Sequence, residues 1–181
     1  MGGFIMKKNS TASTGIQFYQ NQWGTPTHDD QLLFELLTVG TFQVGLGWKM
    51  VVNKRDVFLR NFQQMDILKV AAMMPDDVER IMEDPAMIRN PRKINATITN
   101  ARAIIGIQKE YGSFAAYLWQ FVDNQTIEYE YTEASEVPTS SPLSEKVAKE
   151  LKKKGFKFVG PIVTYMFMKA SGLVHDTIID R

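Results

Sequence analysis

Hydrophobic positions recur at helical spacing along most of the chain. After Thr27, Asp29 and Asp30, which suit the open amides of a helix start, Leu32, Leu33, Leu36 and Leu37 fall on one helical face. The same spacing joins Ile94, Ile98, Ala101, Ile104 and Ile105, and predicts a long amphipathic helix over Lys93 to Glu110 with Gly112 just beyond it. Shorter helices are predicted from Trp48 to about Phe58, from Asp66 to Met74 and from Pro75 to Met82. The last two pack through Ile67, Val70, Val78 and Ile81. Phe114, Tyr117, Leu118 and Phe121 open another helix. Leu143, Val147 and Leu151 mark one that Gly155 should stop, and a last helix follows Pro161.

Two stretches break this rhythm. Gly40 to Gly47 holds three glycines, so the chain turns there, or admits a second backbone or a ligand, before reaching Trp48. Ile127, Tyr129 and Tyr131 alternate at period two as a short extended segment, with no second strand in the sequence to pair it. Met1 to Gly15 is small, polar and aperiodic and is expected to be a disordered tail. Residues 16–181 then form a single helical domain, large enough for two lobes around a shared core. With no repeat and roughly eight helices, the fold class is all-α.

Composition narrows the chemistry. Among 181 residues 44% are hydrophobic, which places the chain with ordered globular proteins, and no apolar run reaches the length of a membrane span. The expected compartment is the cytoplasm. There is no cysteine, so a metal would have to be held without thiolates, with His28 and His175 as the imidazoles on offer; both read as surface residues and no metal or other cofactor is expected. P-loop and dinucleotide-binding glycine patterns are missing, as is any nucleophile set beside a histidine. The net charge of +1 excludes coating nucleic acid by bulk charge, so DNA contact needs a local patch.

Two basic clusters qualify: Lys152, Lys153, Lys154 and Lys157, and the turn Ile88-Arg89-Asn90-Pro91-Arg92-Lys93 between two helices. A turn feeding a helix start presents amides that suit a phosphate; otherwise both clusters are solvated helix ends. Phe18, Tyr19, Trp23 and Trp48 lie beside poorly periodic segments, where flat rings either stack on an extruded base or close the core.

In order along the chain, Asn21-Gln22-Trp23-Gly24, Leu33-Phe34-Glu35, Gln43-Val44-Gly45-Leu46-Gly47-Trp48, Lys69-Val70-Ala71-Ala72-Met73, Asn100-Ala101-Arg102-Ala103 and the run from Leu151 to Gly160 resemble the DNA-3-methyladenine glycosylase I family of the helix-hairpin-helix glycosylase superfamily. The similarity extends over Phe18 to Asp176. It implies a two-lobed helical glycosylase fold and hydrolytic release of alkylated adenine from double-stranded DNA, with the free modified purine as product. The implied protein is a monomer that flips the base into a pocket at Phe18, Tyr19, Trp23, Gly40 and Trp48. DNA contact falls to Ile88, Arg89, Asn90, Arg92, Lys93, Lys153 and Lys154.

Departures from the family pattern accompany the resemblance. Phe18 stands for a pocket tyrosine, and Gly40 for a glutamate that recognises the methylated base. Tyr19 and Thr177 occupy the positions of two zinc-binding histidines, so Tyr19 is expected to pack on C-terminal residues or leave the ends frayed. Arg92 replaces the hairpin glycine, which would pass any positive φ to Asn90. The alternative these departures raise is a catalytically impaired relative that binds damaged or bent duplex.

Overall fold

The computed structural model describes residues 14–179, so most of the segment read as a tail lies outside the described residues. Ten α-helices occur among them: α1 (Thr14–Gln22), α2 (Asp30–Gln43), α3 (Trp48–Val52), α4 (Arg55–Asn61), α5 (Ile67–Ala71), α6 (Pro75–Glu83), α7 (Pro91–Tyr111), α8 (Phe114–Trp119), α9 (Pro142–Lys153) and α10 (Pro161–Ala170). None is long and apolar enough to cross a membrane.

The helix at the centre is α2, in which Leu33 to Gln43 are all buried. Its start is fixed by Asp29, whose carboxylate accepts from the amides of Gln31 (2.9 Å) and Leu32 (3.2 Å). Asp30 reaches sideways: it accepts from the Gln108 side chain and from the amides of Phe114 and Ala115, each at 2.9 Å. One carboxylate therefore caps α8 and ties it to α2 and α7. Asn90 caps α7, and Gly112 ends it at φ 92°, a backbone that a side chain would resist. Buried side chains from Tyr19 to Val174 form one continuous core.

Three differences from the sequence expectation have physical causes. Helix α1 opens at Thr14, inside the stretch assigned to the tail; Gly15 is buried where an added Cβ would lie 2.0 Å from the Val52 carbonyl oxygen, so its smallness marks close packing rather than disorder. The helix expected from Trp48 to Phe58 is two, broken at Asn53 and Lys54. The segment Ile127–Tyr131 does have a partner: it pairs in parallel with Val174–Ile178, Ile127 opposite Val174 and Tyr131 opposite Ile178. A parallel pair needs a crossover, here α9 and α10, so its second strand lies too far along the chain for local pattern to reveal.

The C-terminal segment is also joined to the end of α1 through the backbone. The Gly24 amide donates to the Ala170 carbonyl (2.9 Å) and the Thr27 amide to that of Ser171 (3.1 Å). At Gly172, φ 80°, a Cβ would sit 2.5 Å from the Pro26 backbone.

Candidate base-binding and nucleic-acid site

Trp23 and Trp48, which flank α2 in the chain, come together in the fold. Trp23 follows α1, its amide donating to the Tyr19 carbonyl at 2.8 Å, and the chain then turns at Gly24 with φ 86°. Trp48 opens α3 behind Gly47, φ 88°. Their rings meet edge to face, centroids 5.7 Å apart and planes at 81°, forming a corner. With Met166 and Lys169 of α10 they enclose a cleft of about 370 Å³, inside the range of small-molecule pockets. Both indoles are half-buried rather than sealed. Trp48 Nε1 is a buried donor without a partner, and nearby Gln43 Oε1 is an equally unpartnered acceptor beside Met166.

The loop that delivers Trp48 is held by an unexpected residue. Lys93, expected at the DNA, is only 6% exposed, and its ammonium donates to the carbonyls of Phe42 (3.0 Å) and Val44 (2.7 Å). Burial holds its basicity below the usual lysine range. The side chain thus satisfies the open carbonyls at the end of α2 and is turned away from any phosphate. From its place just inside α7 it links the turn before that helix to the cleft.

Phe18, Tyr19 and Gly40 are not among the cleft walls. One face of Phe18 is covered by the Arg55 guanidinium, 3.6 Å from the ring centre. Tyr19 is 2% exposed and its hydroxyl donates to Glu35 Oε2 at 2.7 Å; it therefore binds α2 and not the C-terminal segment. Burial, with the Glu35 charge second, pushes its phenol well above the usual tyrosine value and keeps it a donor. Arg55 completes the group with Nε and Nη2 at 3.2 and 3.3 Å from the two Glu35 oxygens. Thr177 lies elsewhere, beside His175. At Gly40 an added Cβ would meet Val163 of α10 at 3.4 Å, so the glycine sets how closely α10 lies on α2.

A short turn joins α6 to α7, at the place where the sequence predicts one. Asp84 anchors it, accepting from Arg60 and Asn61 at 2.9 Å each and from the Ala86 amide at 2.9 Å; these bonds, Asn61's first, hold its carboxyl below the usual range. Lys54 donates to the Ala86 carbonyl at 2.7 Å. Asn90 has φ −112° and its side chain caps α7, and Arg92 lies within the helix, so the turn has no left-handed residue for a glycine to serve. Arg89 and Arg92 are exposed and Ile88 is half-buried.

Arg92 faces a groove of about 680 Å³ between the start of α7 and the end of α9 with the segment that follows it, where Lys152, Lys157 and Phe158 line the other side. Arg92 of one basic cluster and Lys152 and Lys157 of the other, far apart in sequence, thus share one surface. Asn100, 2% exposed, builds it by bonding both backbone groups of Lys157, accepting from its amide at 2.8 Å and donating to its carbonyl at 3.1 Å. Phe158 is left at φ 58°, a conformation costly for a bulky residue and frequent at functional sites. Lys153 and Lys154, expected at the DNA, instead pair with Glu150 (3.3 Å) and Glu110 (2.9 Å), outside the groove lining. Lys157 belongs to the lysine cluster read from the sequence, whereas Lys169 carries no distinct signal there beyond being a lone lysine in the apolar run Tyr165 to Ala170.

No group of three or more acidic or histidine side chains suited to a metal occurs among the described residues, and His28 and His175 are both exposed.

The sequence pattern of methyladenine glycosylases matches residues 8–180. The chain is 42% identical over 164 residues to DNA-3-methyladenine glycosylase 1 of Escherichia coli, covering 91% of this chain and 88% of that protein. It is 34% identical over 165 residues to DNA-3-methyladenine glycosylase of Haemophilus influenzae, covering 91% and 89%. A variant of 3-methyladenine DNA glycosylase I solved in complex with 3-methyladenine superposes with a TM-score of 0.86 at 31% identity, covering 92% of this chain and 89% of that one. Near-complete coverage in sequence and in fold establishes that the chain belongs to the methyladenine glycosylase family.

Proposed function

We propose that this protein is a DNA N-glycosylase that initiates base-excision repair by flipping an alkylated purine, 3-methyladenine or a base like it, out of double-stranded DNA and hydrolysing its bond to the sugar. The observation that carries this reading is the half-open corner of Trp23 and Trp48, which offers a flat ring both a face and an edge. The groove of Arg92, Lys152 and Lys157 would grip the phosphates, positioning the duplex without reading sequence. Val44 and Leu46, 47% and 39% exposed in the loop before Trp48, are apolar groups suited to fill the stack from which the base has left.

No carboxylate walls the tryptophan cleft among the described residues, so the chemistry rests on the leaving group. A purine alkylated on a ring nitrogen is cationic while attached to the sugar and departs readily. Extrusion and positioning then carry much of the acceleration. The protein acts as a monomer in the cytoplasm, on duplex DNA, and yields the free modified purine.

Single-turnover release of bases from methylated DNA tests the proposal. Stacking contributes about 1–3 kcal/mol per base, so Trp48→Ala should slow release by roughly 5- to 150-fold. Release by the folded wild type no faster than spontaneous loss, together with salt-sensitive duplex binding, would instead support the non-catalytic damage-binding reading, which the missing carboxylate favours.

A further inference from the structure

Lys169 is the ionisable group in the wall of the tryptophan cleft among the described residues. It stands on α10 between buried Met168 and Ala170. Its ammonium lies 3.3 Å from Asp176 Oδ2 and 4.7 Å from the centre of the Tyr165 ring, and the Tyr165 hydroxyl donates to Asp176 Oδ1 at 3.1 Å. Lys169 walls both the tryptophan cleft and an adjoining cleft of about 680 Å³, whereas Asp176 walls only the second. The lysine of the ion pair is therefore part of the wall of the tryptophan cleft, and the aspartate is not.

We propose that Lys169 makes the cleft discriminate by charge, holding an uncharged purine and opposing the same ring as a cation. The inference rests on reading the tryptophan cleft as the base pocket. Indole faces alone favour cations, so a preference for the neutral ring has to come from the ammonium. The preference bears on the reaction. While attached to the sugar, a purine alkylated on a ring nitrogen is positive. When the glycosidic bond breaks, its electron pair stays on the base, which becomes neutral, and the positive charge passes to the sugar. The oxygen of water then bonds the anomeric carbon and a proton is released to solvent. An ammonium beside the base opposes the bound substrate more than the departing base, and an interaction that differs in this way lowers the barrier between them. Asp176, fixed by Tyr165, holds the lysine at the wall.

Two probes with one ring system test this: 3-methyladenine, uncharged near neutral pH, and 3,9-dimethyladeninium, a fixed cation. Their affinities are measured by tryptophan fluorescence, with thermal unfolding as the check on each variant's fold. Wild type should hold the neutral probe at least about tenfold more tightly. Lys169→Gln should bring the two within about threefold and Lys169→Arg should keep the preference. In single-turnover excision from methylated duplex, Lys169→Gln should bind the duplex more tightly yet release base more slowly. An unchanged probe ratio in folded Lys169→Gln overturns the role of Lys169 and leaves the base pocket standing. Failure of wild type to bind either probe, or binding untouched by Trp48→Ala, overturns the base-pocket reading and this inference with it.

Discussion

Replacing Arg55 by Met isolates the buried charge group behind the cleft. Glu35 is 7% exposed, and its carboxylate is matched by one phenol and a two-pronged guanidinium contact. Methionine keeps an apolar stem against Phe18 but removes the positive charge, leaving a carboxylate that burial penalises with Tyr19 as its remaining partner among these contacts. Breaking a buried pair on one side costs roughly 3–5 kcal/mol. Because the Arg55 side chain is itself 26% exposed, the low end, about 3 kcal/mol, is the appropriate figure. For a chain of this size that corresponds to a fall of about 6–12 °C in Tm. Thermal unfolding followed by circular dichroism, with urea titration as a second measure, reads the change. The double variant Glu35→Gln with Arg55→Met removes the stranded charge and should recover part of the loss. A single-variant shift below about 2 °C, or a double variant no more stable than the single, would refute the assignment of Glu35 as a buried charge dependent on Arg55.

Further outcomes follow from other contacts. Lys152→Gln and Lys157→Gln should each flatten the dependence of log affinity for duplex on log salt by about one unit, while Lys153→Gln, paired outside the groove, should leave it nearly unchanged; equal effects at all three positions would dissolve the groove. The Tyr117 hydroxyl is buried without a partner, so Tyr117→Phe should be neutral or stabilising at pH 7 in urea titration. Burial pushes the Tyr117 phenol up to about 12, so the unfolded chain loses that proton first. Its contribution to stability is whole below about pH 10 and is lost as pH rises toward 12; Tyr117→Phe should flatten the decline in that window. A chelator should leave Tm unchanged, and a marked drop would reveal a structural metal.

The legible parts of the molecule were those in which local spacing decides the outcome. Leu33 to Leu37 and Ile94 to Ile104 announce helices because burial on one face imposes their period, and Asn90 and Gly112 set limits that propensity foretells. Tertiary partners were not legible. Lys93 reads as part of a basic turn, yet the chain folds its ammonium onto two carbonyls some fifty residues earlier. Tyr19 reads as a ring for stacking, but the carboxylate that claims its hydroxyl is on the next helix. Arg92 and Lys157 fall in separate clusters and meet only because Asn100 pins the second against α7. Trp23 and Trp48 were legible as candidates. That they share a corner with Lys169 follows from how α10 settles on Gly40.

The join between the first helix and the last carries a lesson about divergence. Amide-to-carbonyl bonds such as Gly24 to Ala170 and Thr27 to Ser171 are indifferent to which side chains their residues bear. Mutations can accumulate on both partners without parting them, as a zip closes whatever the colour of the cloth. Two glycines are the exceptions: at Gly172 any larger residue would wedge against Pro26 and prise the two ends apart, and Gly24 turns at φ 86°, a backbone that side chains resist. Distant descendants of this chain should therefore vary along the rest of that join and hold on to these two small residues.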